Sequence, residues 1–159
     1  MYKWTISSLI FFVVLLFGLR EIGAYLWQHP QALARPNKIN TDNVLLDENK
    51  LFDLVNIYRQ SKGLSMLTKS VVTCGIATLR VNEIQNDFSH DGFRRNSQKW
   101  INSYNLSYLG ENLAEDYSSE EIVLSKWLKS SKHRENLMDD YSYSCMRCKN
   151  NKCVQIFAK

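Results

Sequence analysis

The sequence predicts an α+β fold that is preceded by an apolar helix at the N-terminus. Apolar residues recur at helical spacing through most of the chain. The two segments with strand character come last, on either side of a short polar turn. Strands do not alternate with helices as a parallel sheet would require, so the order of the elements indicates α+β rather than α/β.

The N-terminal segment predicts export of the rest of the chain. An uncharged apolar run from Trp4 to Leu19 is typical of the centre of a secretory signal, and extended through Trp27 it could cross a bilayer. The small residues at Ala32–Ala34, which a cleavage site would need, lie too far beyond the run. Residues 1–27 are therefore interpreted as a signal anchor, with a cleaved signal peptide as the alternative. The protein is expected to be membrane-anchored with its domain outside the cytoplasm, or secreted.

Residues 28–46 are predicted to be a linker, because they contain both prolines and show little periodicity. The remaining residues, 47–159, form the predicted domain. Asp47 is a plausible cap for a first helix, whose apolar residues follow at helical spacing, and Gly63 ends it. These apolar residues are Leu51, Leu54, Val55 and Tyr58.

Three more helices are expected before the terminal hairpin. One runs from Ser70 to Asp87, and its apolar residues cover more than one face, which predicts burial between other elements. A shorter helix is expected from Phe93 to Tyr104. Ser118, with Glu121 three residues later, makes a capping box that begins a helix ending near Ser130.

Four cysteines agree with an exported domain, because exported proteins can keep disulfides. The segment CKNNKC places Cys148 and Cys153 on either side of a turn, as in a hairpin closed by a disulfide. Cys74 and Cys145 are then left to pair with each other. A zinc site formed by the four cysteines is the alternative.

The charge of the chain names no partner. The net charge is +4 and 23% of the residues are charged, without a basic stripe interleaved with aromatic residues. Nucleic-acid binding is therefore not expected.

Four short motifs are more specific than core packing requires: FSHDG at 88–92, GENLA at 110–114, WLKSSKHRENL at 127–137 and VQIF at 154–157. Each polar residue in them has a structural explanation when it is considered alone. His90 could end a helix, Glu111 could be a solvated loop acid, and His133 could be a surface residue. The set must therefore be judged together.

In this order, and preceded by LVNIYRQSKGLSML at 54–67, the motifs resemble those of the CAP superfamily over Asp47–Lys159. This group includes cysteine-rich secretory proteins, pathogenesis-related proteins and bacterial SCP-like proteins. The resemblance implies a three-layer α-β-α sandwich with a central antiparallel sheet and a cleft open to solvent. It also implies that His90 and His133 are the two histidines of that cleft and that Glu111 is its first acid.

Two departures from the family pattern affect the expected site. Ser130 stands where many members have a second glutamate, and Cys145 lies in a region where glycines are common. Asn112, next to Glu111, is included among the candidate ligand-binding residues. Alternatively, Glu111 and Asn112 hydrogen-bond the loops that form the cleft.

Binding of a small-molecule or lipid-like ligand by His90, Glu111, His133 and Asn112 is the leading hypothesis. Two neutral imidazoles, His90 and His133, could also hold zinc, with Glu111 nearby. A hydrolase that uses His90, Glu111 and His133 is one alternative, and a purely structural or interaction domain is another. No serine or cysteine stands out as a nucleophile, and the missing acid at Ser130 also favours binding over catalysis.

Overall fold

The computed structural model describes residues 45–159, so the predicted anchor and nearly all of the predicted linker lie outside the described residues. In this part of the chain, no helix combines the length and the apolarity needed to cross a membrane. Five helices and three strands occur between residues 45 and 159. They are α1 (Glu48–Ser61), α2 (Val71–Glu83), α3 (Asp91–Tyr104), β1 (Leu109–Glu115), α4 (Glu120–Lys129), α5 (Ser131–Met138), β2 (Tyr143–Lys149) and β3 (Lys152–Ala158).

The three strands form one antiparallel sheet in the order β1-β3-β2, which confirms the mixed α and β composition and the antiparallel sheet. The terminal hairpin that the sequence predicted is formed by β2 and β3. Asn150 and Asn151 connect them with φ angles of 49° and 57°. Two successive residues with positive φ are typical of the tight turns that match the twist of a hairpin.

Helices pack on both faces of the sheet, because successive side chains of the central strand β3 point in opposite directions. Val154 and Ile156 belong to a buried cluster with Ile76 of α2. Cys153 and Phe157 belong to a second cluster that is built with α1, α4 and α5. The side chains that these three helices contribute to it include Leu51, Val55, Trp127 and Leu137.

The first helix begins as predicted, since the Asp47 side chain accepts hydrogen bonds from the main-chain N–H groups of Asn49 and Lys50. Near its other end, Arg59 is only 2% exposed. Its guanidinium donates to four main-chain carbonyls and, within residues 45–159, to no carboxylate. The acceptors are Ser65 at 2.9 Å, Leu137 at 2.9 Å, Asp139 at 2.9 Å and Tyr141 at 3.4 Å. Arg59 therefore ties the end of α1 to the segment between α5 and β2.

Both predicted disulfides are present. Cys74–Cys145 joins α2 to β2 with a Cα–Cα distance of 4.9 Å, and Cys148–Cys153 closes the hairpin with a Cα–Cα distance of 4.1 Å. No cysteine is left free. The alternative of a four-cysteine zinc site is therefore wrong, because zinc binds thiolates and not disulfides.

Helix α2 differs from its prediction in length and burial. It ends at Glu83 rather than Asp87, because residues 84–86 turn away to bring the next helix over the sheet edge. It is buried on one face only, since Val71 is 92% exposed and Leu79 is 60% exposed. The apolar residues on the second face of α2 had predicted a second packing partner for this helix. No such partner covers that face in the described part of the chain.

The start of α4 is shifted by one residue from its prediction. Ser119, not Ser118, is the N-cap and accepts from the main-chain N–H of Ile122. Glu121 does not complete a capping box, because its carboxylate pairs with Lys50 of α1 at 2.9 Å. A contact between helices therefore replaces the local motif.

Candidate functional site

The edge strand β1 carries Glu111, and the two histidines approach this edge from different helices. His90 is the N-cap of α3 rather than the end of the preceding helix, and His133 lies in the first turn of α5. The centroids of the two imidazole rings are 6.2 Å apart. The structure thus brings together the three residues His90, Glu111 and His133 that the motifs had indicated.

Both carboxylate oxygens of Glu111 are engaged by buried or half-buried donors. Arg80 donates from Nε to Oε2 at 2.7 Å and from Nη2 to Oε1 at 3.3 Å. The Nδ1 atom of His90 lies 2.9 Å from Oε1. The Glu111 side chain is only 1% exposed, so these contacts are shielded from water. Glu111 therefore anchors His90 and is itself anchored by Arg80.

Arg80, in the middle of α2, is the site residue that the sequence analysis missed. Its side chain is 1% exposed, and it also donates to Glu83 Oε2 at 2.5 Å and to the Ser89 carbonyl at 2.8 Å. Burial alone would lower the pKa of Arg80, but its hydrogen bonds and charge interactions with Glu111 and Glu83 raise it above the ordinary value. The available signal was an arginine on the buried stripe of an apolar helix, four residues after Ile76.

Gly92, in the motif FSHDG, lets the first turn of α3 rest directly on the ion pair between Arg80 and Glu83. A Cβ atom at position 92 would overlap with the ends of both side chains. Arg80 cannot move away freely, because Glu111 and Ser89 also hold it. The glycine thus brings His90, two residues before it, close to Glu111.

The contact with Glu111 assigns the proton on the His90 ring. A carboxylate can only accept hydrogen bonds, so the Nδ1 atom of His90 must be the donor. In the neutral ring, Nε2 is then an acceptor, and within residues 45–159 it has no hydrogen-bond partner. The side chain is 38% exposed, which leaves this nitrogen available to a bound molecule.

Asparagine side chains fix α5, and with it His133, against the edge of β1. The Asn112 amide donates to the main-chain carbonyl of His133 at 3.2 Å and accepts from Asn136 at 2.9 Å. Asn136 also donates to the main-chain carbonyl of Glu111 at 3.0 Å. Asn112 is fully buried, so these contacts fit the structural alternative for this residue. Its part in ligand binding stays a prediction.

The indole of Trp127 completes the support of the edge. Its Nε1 atom donates to the main-chain carbonyl of Leu113 at 2.8 Å, and its ring meets the His133 ring edge-on at 6.4 Å between centroids. Because Trp127 is 1% exposed, it packs beneath the His133 ring and is not accessible to a bound molecule.

Burial, followed by the proximity of His90, lowers the pKa of His133 below the ordinary value of 6.5. The imidazole is therefore neutral at neutral pH and offers one donor and one acceptor. No hydrogen bond to either ring nitrogen is formed within the described range, so both are available to a ligand.

This lowered pKa predicts a loss of stability in mild acid. The unfolded chain takes up the His133 proton near pH 6.5, whereas the folded protein takes it up only at lower pH. The stabilising contribution is therefore complete above pH 6.5 and is lost as the pH falls through the folded-state pKa. Melting temperatures measured from neutral to mildly acidic pH should fall less steeply for His133→Gln than for the wild type. Parallel curves for the two proteins would contradict the expectation.

The donors available for a metal are fewer than the sequence suggested. Among the described residues, no group of three or more histidine, cysteine, aspartate or glutamate side chains is placed to hold a metal ion. Glu111 already uses both oxygens, and Ser130 is the residue at which α4 ends and α5 begins. His90 and His133 alone fall short of the three protein ligands of a catalytic zinc site. A zinc ion held by these two histidines would have to complete its shell with water or with a bound molecule.

These observations define the class of the protein. It is a mixed α and β domain with two histidines and a buried carboxylate at the edge of an antiparallel sheet. Residues 52–157 match the family model named CAP, the cysteine-rich secretory protein family. The chain belongs to the CAP family, as the order of its motifs had indicated. Among curated proteins, none is significantly similar to it in sequence.

Three solved structures of bacterial proteins share the fold. An extracellular protein containing an SCP domain from Bacillus anthracis str. Ames is 25% identical, with a TM-score of 0.60 over 70% of this chain and 40% of that one. A cysteine-rich secretory protein from Staphylococcus aureus is 20% identical, with a TM-score of 0.61 over 79% of this chain and 41% of that one. An outer surface protein from Borrelia burgdorferi is 20% identical, with a TM-score of 0.62 over 70% of this chain and 90% of that one.

The chain thus spans about two fifths of the length of the first two of these relatives. The proteins from Bacillus anthracis and Borrelia burgdorferi are described as extracellular and outer surface proteins. A location outside the cytoplasm, as predicted for this chain, is consistent with those relatives.

Proposed function

We propose that this domain is an extracellular binding module whose cleft binds a small-molecule or lipid-like ligand directly through His90 and His133. The observation that carries the proposal is the pair of rings 6.2 Å apart, in which His90 Nε2 and both nitrogens of His133 have no hydrogen-bond partner within the described residues. We also propose that residues 1–27 hold the module at a membrane or direct its secretion.

The two rings favour a ligand with a hydroxyl or amide group. His90 presents an acceptor at Nε2, and the neutral His133 ring offers both a donor and an acceptor. A hydroxyl can donate to the first ring and accept from the second, which a purely apolar molecule cannot do. The ligand is thus recognised by a polar head group, whatever its apolar part.

Hydrolysis is the second candidate, because a histidine hydrogen-bonded to a buried carboxylate can act as a general base. Among the described residues, no serine hydroxyl or thiol forms a hydrogen bond with a ring nitrogen of His90 or His133. The Ser89 hydroxyl bonds to Asp87 at 3.1 Å and to the Asp91 N–H at 3.2 Å, and all four cysteines are in disulfides. A water molecule would have to be the nucleophile, so binding remains the function that the geometry supports better.

The test is a panel of hydroxyl- and amide-bearing lipids and small molecules, with zinc as one further member, screened by thermal shift and NMR. Binding to the wild type should weaken at least about tenfold in the double variant His90→Ala/His133→Ala, because about 1.4 kcal/mol of interaction is lost. The matched control is Lys99→Ala/Glu135→Ala, which changes exposed residues of the same two helices.

Each outcome of the panel has a definite meaning. Equal binding by the double variant and the control would contradict the proposal. A ligand recovered unchanged supports a binding module, whereas a ligand converted by the wild type and not by the double variant supports the hydrolase. Zinc binding through His90 and His133 predicts a melting temperature that rises with zinc only in proteins with both histidines, and unchanged melting would contradict zinc binding.

A further inference from the structure

We propose that Arg80 is the positioning residue of the cleft: it orients the Glu111 side chain, so that Oε1 holds the Nδ1–H of His90 and the Nε2 acceptor is left to face the ligand. The inference rests on the proposed function, because it specifies the chemistry that His90 offers to a ligand. No contact between Arg80 and either imidazole is found among the described residues, and its route to the His90 ring passes through the Glu111 carboxylate.

The first step of the argument is that Arg80 sets the orientation of Glu111. The Nε–Oε2 contact of 2.7 Å is the shorter of their two hydrogen bonds, and both side chains are 1% exposed. Hydrogen bonds between a guanidinium and a carboxylate are strong and directional, and water does not compete for them here. The carboxylate is thus held with Oε2 towards Arg80 and Oε1 towards His90.

The second step is that Arg80 is itself immobilised. Glu83 and the Ser89 carbonyl hold its two terminal nitrogens, and Gly92 packs on the Arg80–Glu83 pair. Arg80 also donates to the carbonyl of Ser89, the residue before His90. It therefore holds both the backbone next to His90 and Glu111, which is the hydrogen-bond partner of the His90 ring. The direction of control therefore runs from Arg80 to Glu111 to His90.

The third step follows from replacing the carboxylate by an amide of the same shape. In Glu111→Gln, the Arg80 Nε–H still requires an acceptor, so the amide oxygen takes the position of Oε2. The amide nitrogen then takes the position of Oε1 and donates to His90 Nδ1, which must become the acceptor. The ring proton moves to Nε2, and the tautomer is reversed.

The experiment is ¹⁵N NMR of histidine-labelled protein at about pH 8, where imidazoles are neutral. Only three histidines occur in the chain, and the variant His90→Gln identifies the His90 signals by their loss. We expect the Nδ1–H tautomer in the wild type and the Nε2–H tautomer in Glu111→Gln. In Arg80→Met/Glu111→Gln the amide is no longer oriented, so both tautomers should be populated.

The double variant keeps the inference testable if the single variant is unstable, because it removes both buried charges at nearly constant volume. Arg59→Met is the matched control, since it removes another buried arginine and should leave the His90 tautomer of the wild type unchanged. If Glu111→Gln kept the Nδ1–H tautomer, or if it matched the double variant, Arg80 would not be the positioning residue. The measurement needs no ligand, so its failure is distinct from a failure of the proposed binding function.

Discussion

Replacing Arg59 by methionine is expected to lower the free energy of unfolding by about 3 kcal/mol or more, because hydrogen bonds to charged groups contribute about 1.5–3 kcal/mol each. The variant fills much of the same volume but removes the Arg59 donor from four buried or half-buried carbonyls, of which that of Asp139 keeps a second donor, the Tyr141 N–H. Urea unfolding should show a lower midpoint with an unchanged dependence on urea concentration.

Arg94→Met is the control for Arg59→Met, because the Arg94 side chain is 68% exposed and its ion pair with Asp91 lies in water. Substitutions at such surface positions usually change stability by less than about 0.5 kcal/mol. A similar loss in the two variants would show that the carbonyl contacts of Arg59 do not stabilise the fold.

Removal of the Cys74–Cys145 disulfide, by replacing both residues with alanine, is expected to cost about 4 kcal/mol. The two cysteines are separated by 71 residues, so the disulfide restricts a large part of the unfolded chain. It also joins α2, which carries Arg80, to the sheet that carries Glu111. Unfolding in urea under oxidising conditions measures the loss.

The second disulfide supplies an internal comparison. Cys148 and Cys153 are separated by only 5 residues, and the same reasoning gives about 2 kcal/mol for replacing both by alanine. Each pair contains one fully buried cysteine, Cys145 or Cys153, so the packing losses are similar. If the two double variants lost the same free energy of unfolding, the entropy of the unfolded chain would not determine how strongly each disulfide stabilises the protein.

The sequence predicted those parts of the fold that depend on local patterns. Asp47 caps its helix through a side-chain oxygen, and the CKNNKC segment turns where two asparagines adopt positive φ. The capping box predicted at Ser118 is not formed, and the local pattern does not show the ion pairs that Glu120 and Glu121 make with Lys50 of another helix. Helix α5 was not predicted, because its eight residues have no apolar stripe of sufficient length.

The candidate site likewise depends on a contact between distant residues that local patterns do not show. The order of the motifs was enough to indicate His90, Glu111 and His133, and the structure places them together. Arg80 lies 31 residues from Glu111 in sequence, and nothing around it forms a motif. An arginine on an apolar helix face indicates that buried acceptors must be found elsewhere, but the chain alone does not say whether they are carbonyls, as for Arg59, or a carboxylate, as for Arg80.

The support of β1 also protects the domain from its own copies. An edge strand with free carbonyls is a template on which another chain can add a strand, and this is a common route to aggregation. Asn136 and Trp127 occupy the outward carbonyls of Glu111 and Leu113, so a foreign strand would have to displace two side chains before it could pair there. The contacts that hold α5 against β1 thus also hinder the pairing of a second chain with this edge of the sheet.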